Sequence, residues 1–117
     1  MKRKRLKLET NFNHKLHCDK FLHIALAPVA NPSVQDMEET IFEINVADKS
    51  HPDVQVKLEF YSVARVAMLS NIHTWASHGM TTTEFINWLF LKHPELNRDS
   101  HIGVYYYAKV KAMAAAA

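Results

Sequence analysis

The sequence predicts one α+β domain: a short, strongly bent sheet closed into a small β-barrel, with short helices packed at its side and ends. Three observations carry this expectation. Apolar and polar residues alternate in five segments, the period of half-buried strands. The longer stretches of helical spacing fall in the second half, between Asn71 and Pro94. A chain of 117 residues with 48% apolar and 22% charged residues can build one modest hydrophobic core.

The elements follow in order. Arg5 to Thr10 alternates Leu6 and Leu8 against Lys7 and Glu9, a half-buried strand. Asn11 or Asn13 caps a short helical turn through His14, Leu16 and His17. Leu22, Ile24 and Leu26 then alternate with His23, Ala25 and Ala27 in a strand that Pro28 ends. The stretch from Val29 to Met37, punctuated by Pro32 and Ser33, reads as a loop. Phe42, Ile44 and Val46 mark a strand from Thr40 to Ala47, and Asp48 to Asp53 is a turn signal. Val54, Val56, Leu58 and Phe60 face one way in the next strand, which pairs with the preceding one as a hairpin and continues through Val63, Val66 and Met68, long enough to bend or to be two strands. Gly79 terminates a short helix from Asn71 to His78. Thr81 and Glu84 have capping-box spacing before a second helix whose stripe is Phe85, Trp88 and Leu89; Trp75 joins these rings as expected core. Ile102 to Val110 is the final strand.

Residues 1–110 are read as a single domain, and residues 111–117, ending in four alanines, as an appended tail foreign to the fold. No apolar run approaches the ~20 residues that cross a bilayer, and no apolar segment follows the basic start, so a cytoplasmic protein without a membrane partner is expected. Cys18 is the one cysteine, which excludes an internal disulfide. The net charge of +2 is unevenly held: Lys2, Arg3, Lys4, Arg5 and Lys7 supply five of 14 basic residues, and the remainder carries nine against 12 acidic ones. Attraction to nucleic acid therefore rests on the N-terminal Lys2, Arg3, Lys4 and Arg5 or on a local patch; the alternative is that this run is simply a solvated first strand or a tail.

The stretch Cys18-Asp19-Lys20-Phe21-Leu22-His23-Ile24-Ala25 resembles the Gly-x-Lys-x-x-x-x-Arg motif of ASCH domains, relatives of the PUA RNA-binding fold. Lys20 falls on the motif lysine, Cys18 stands for the glycine and Ala25 for the arginine. The order Gly79, Thr81, Glu84, Phe85, Trp88, Pro94 and Val104 to Tyr106 is similar to the family's C-terminal half. The resemblance implies a PUA-like barrel that binds RNA or a nucleotide in a cleft around Lys20. Some ASCH-like proteins hydrolyse the amide of acetylated cytidine with a lysine, an adjacent threonine and a glutamate. Here Phe21 takes the threonine's place and Glu59 is the candidate glutamate, so a small amidohydrolase through Lys20 and Glu59 is the alternative, with binding expected over catalysis. A protein-interaction accessory module of a mobile element is a third reading, suited to the mildly acidic body.

Beside Lys20, the candidate ligand-binding residues are His23, Tyr105 and Tyr107. His23 faces outward if Leu22 and Ile24 point into the barrel, which is the expectation; on the reverse facing it enters the cleft with a pKa suited to proton transfer. Tyr105 and Tyr107 share one face of the last strand, as a base-stacking pair or simply as residues that fit the pleat. His14, His17 and Cys18 lack a second pair at ligand spacing, so no metal and no cofactor is expected. RNA or a nucleotide is the expected partner, on a monomer or weak homodimer. Glu43 and Glu59 point away from the apolar faces of their strands, so either reaches Lys20 only through a β-bulge.

Overall fold

The computed structural model describes residues 2–27 and 33–110. Five strands, β1 (Lys2–Leu8), β2 (Lys20–Leu26), β3 (Thr40–Val46), β4 (Val54–Arg65) and β5 (His101–Lys109), form one mixed sheet in the order β1-β3-β4-β5-β2. Three helices, α1 (Val34–Glu39), α2 (Asn71–His78) and α3 (Thr82–Lys92), and 3-10 turns at Phe12–His17 and Val66–Met68 complete the fold. No helix among the described residues is long and apolar enough to cross a membrane.

The basic start is a strand, not a tail: Lys2 to Leu8 runs parallel to β3, Lys2 opposite Thr40 and Leu8 opposite Val46. The hairpin of β3 and β4 forms as expected, with Phe42 opposite Val56. Part of the predicted loop is helical instead. Ser33 accepts from the Asp36 amide while the Asp36 carboxylate accepts from the Ser33 amide, a capping box that starts α1; residues 29–32 lie outside the described residues, as do 111–117. The box at Thr81 and Glu84 forms as the spacing predicted, and Gly79 ends α2 at φ 69°, a left-handed conformation that a residue with a Cβ reaches only under strain.

The sheet does not close. β1 and β2 are edges without a ladder between them, so the expected barrel is a curled, open sheet. The outer edge of β2 is closed to a further strand by α2, because the Ser77 hydroxyl accepts the Ile24 amide at 2.8 Å.

Each face of the sheet holds its own core. On the helix side Leu22, Ile24, Ile102 and Val104 pack with Val66, Leu69, Phe85, Ile86 and Leu89. Inside the curl lie Leu8, Leu16, Phe21, Ile44, Val46, Val56, Leu58 and Tyr107. β4 serves both faces because a bulge falls between Leu58 and Phe60: Leu58 pairs with Tyr107, whereas Phe60 pairs with Tyr106. Phe60 therefore does not share a side with Val56 and Leu58, and its ring meets Tyr106 at 5.4 Å on the opposite face. Trp75, expected in the core, is 56% exposed.

Candidate functional site

The two edge strands face one another across a half-open cavity of about 740 Å³ inside the curl. Alternation along β1 places Lys2, Lys4, Leu6 and Leu8 on its wall. β2 contributes His23 and Ala25, β5 Tyr105 and Tyr107, and α3 the ring of Trp88. Lys2 lies 3.4 Å from Asp36, whose carboxyl is held below its usual range by the Ser33 hydroxyl and amide and then by Lys2. Among the described residues Lys4 has no carboxylate within ion-pair distance.

The tyrosines form a stack. Tyr105 and Tyr107 lie 6.0 Å apart with planes 10° from parallel, and Tyr61 of β4 meets Tyr105 at 5.0 Å. The Tyr105 hydroxyl donates to the Leu26 carbonyl at 2.8 Å and so ties the ring to the end of β2. Gly103 makes room for it: a Cβ there would stand 2.7 Å from the Tyr105 ring. Burial, reinforced by Tyr61, pushes the Tyr105 phenol up to about 12, and burial also raises Tyr107, so both stay protonated at neutral pH.

A second group of polar side chains stands where β2, α2 and the Phe12–His17 turn meet. Lys15 is buried at 3% exposure, and its Nζ lies 2.6 Å from His23 Nδ1 and 2.6 Å from the Ser77 carbonyl. The His23 ring stacks on His78 at 5.4 Å, and His78 is enclosed by Phe12, Phe85 and Trp88 at 4.4, 4.9 and 5.0 Å. Desolvation lowers Lys15 to about 7. Desolvation and then the Lys15 charge lower His78 to about 3 and hold His23 well below its usual value. The cluster thus contains two neutral imidazoles and one amine near half-protonation, without a carboxylate.

Of the residues that the sequence nominated, the cavity brings together Lys2, Lys4, His23, Tyr105 and Tyr107. His23 faces the cavity rather than outward, because the helices cover the opposite side of β2 and take Leu22 and Ile24. Lys20 does not join them. Its side chain is 73% exposed at the start of β2 and meets Glu59 at 3.3 Å, outside the cavity. Arg3 and Arg5 alternate away from the cavity, Arg5 toward Glu43 at 3.9 Å. The His14 and His17 rings are 6.1 Å apart and Cys18 is exposed; among the described residues no three such side chains converge on a common point.

Sequence reasoning missed Lys15, His78 and Ser77. One signal was available: Thr74, Ser77 and His78 stand at i, i+3 and i+4, a small-polar stripe that α2 buries. No protein-family model, curated protein or solved structure matches this chain.

Proposed function

We propose that this chain is a nucleotide- or RNA-binding domain of the PUA/ASCH-like kind, and that the cavity between β1 and β2, rather than the surface around Lys20, receives one nucleotide unit. One observation carries the reading: a single concave site combines the ammonium groups of Lys2 and Lys4 with the aromatic rings of Tyr105, Tyr107 and Trp88. Phosphate needs the first and a base face the second. The volume of 740 Å³ lies within the span of about 300–1,000 Å³ usual for small-ligand sites. The resemblance of the Cys18 to Ala25 stretch to the ASCH motif points to the same ligand class. Hydrolysis through Lys20 and Glu59 is less well supported, because those two meet on the exposed surface and outside the cavity.

Titration with a short single-stranded RNA and with mononucleotides tests the proposal. Binding should weaken with salt, with a slope of about −0.7 in log K against log salt for each phosphate contact on a single strand. The double variant Lys2→Ala, Lys4→Ala should lose most of that slope. Binding indifferent to salt and to both lysines would overturn the reading; binding of RNA but not of mononucleotides would place the ligand in a chain.

A further inference from the structure

The cavity wall formed by β2 and α2 carries hydrogen-bonding chemistry that phosphate and stacking contacts leave unused. Ser77 is fully buried; its Oγ accepts the Ile24 amide at 2.8 Å, and we assign its one hydrogen to His78 Nδ1, 2.6 Å away. Below about pH 7 Lys15 is an ammonium without a lone pair, and it donates to His23 Nδ1 at 2.6 Å as it does to the Ser77 carbonyl. A neutral imidazole holds one ring hydrogen, and on both rings Nδ1 is already an acceptor. Each therefore bears its hydrogen on Nε2. Burial keeps both rings neutral, as described above.

We propose that His23 and His78 form a subsite of two uncharged Nε2–H donors that reads carbonyl oxygens of a nucleobase and selects uracil over cytosine, with Lys15 as the positioning residue that holds His23 in its tautomer. The inference rests on the nucleotide reading above and adds to it the identity of the base. Both rings line the cavity, and their stacking at 25° and 5.4 Å gives the donors a common wall. Neither ring offers an acceptor there. An exocyclic amino group facing them stays unpaired on both sides, whereas a carbonyl at the same place is satisfied. The negative charge of the nucleotide is served by Lys2 and Lys4 on the opposite strand.

Titration calorimetry and the nitrogen-15 measurement below, both at about pH 6 where Lys15 holds its proton, supply the test, with UMP and CMP as nucleotides matched in size and phosphate on the full chain. UMP should bind about tenfold more tightly, the cost of leaving a buried donor unpaired. His23→Phe and, separately, His78→Phe should bring the two affinities within about twofold of each other, chiefly by weakening UMP. Imidazole nitrogen-15 shifts of the unliganded wild type give a readout that does not depend on the variants folding: protonated Nε2 and bare Nδ1 on both rings. Lys15→Met should move the His23 Nδ1 signal and leave the His78 pattern intact, which a purely packing role would not do. Equal affinities, a preference for CMP, or a hydrogen on Nδ1 of either ring overturns the subsite and leaves nucleotide binding standing. Failure of every nucleotide to bind overturns the parent reading and the subsite with it.

Discussion

Replacing Lys15 with methionine removes a buried ammonium while keeping an unbranched chain of similar length, and the consequence is a change in the slope of stability against pH. Lys15 is 3% exposed, and burial lowers it from 10.5 to about 7. The sign follows from proton binding. Between about pH 7 and 10.5 the unfolded chain holds the proton and the folded one releases it, so wild-type stability rises with pH across that window. The penalty is fully present below pH 7 and is relieved on the alkaline side. Integrating the two titrations from pH 7 to 9 gives a wild-type gain of about 2 kcal/mol relative to Lys15→Met. Urea unfolding followed by tryptophan fluorescence at both pH values measures it. The variant also loses the hydrogen bonds to Ser77 and His23, but that loss shifts its curve without tilting it. Wild-type and variant curves that run parallel from pH 7 to 9 would refute the placement of Lys15 in a desolvated site.

His78 gives a slope of the same sign on the acid side. Its folded value near 3 against 6.5 unfolded means that stability falls as pH drops below about 6.5, and His78→Phe should flatten that fall in an acid-unfolding series. Gly103→Ala places a methyl group against the Tyr105 ring; the ring must leave its bond to Leu26, which should appear as a change in tyrosine fluorescence and a several-fold loss of ligand affinity. Lys20→Ala removes only an exposed ion pair with Glu59, so the urea midpoint should stay within the scatter of repeat measurements and nucleotide binding should be unchanged.

What could be read from the sequence was local. Strand alternation, the box at Thr81 and Glu84 and the stop at Gly79 are set by residues within a few positions of one another, and all three appear in the structure. What could not be read was non-local. Lys15 has the pattern of a polar residue on a turn, and its burial depends on the Ser77 carbonyl 62 positions away. The facing of His23 was decided by which side of β2 the helices cover, a choice on which period-two alternation is silent. Closure failed as an expectation because alternation specifies strands, not whether the first and last of them meet. The bulge had no signature in the sequence: a change of sides was expected to be needed for Lys20 to meet Glu59, yet Lys20 stands on the face opposite Phe21, where alternation already directs Glu59.

That bulge makes β4 a ribbon with two phases. Ahead of it, even-numbered residues such as Val56 and Leu58 look into the curl; beyond it, odd-numbered Tyr61 does, opposite Tyr105. The facing of its second half therefore depends on Glu59 staying out of the ladder. Deleting Glu59 would leave Leu58, Phe60 and Tyr61 opposite Tyr107, Tyr106 and Tyr105 in a regular ladder, with Tyr61 still in the tyrosine stack. What the strand does not tolerate is ironing the bulge flat with Glu59 retained, for regular alternation would then bring Phe60 inward and turn Tyr61 out.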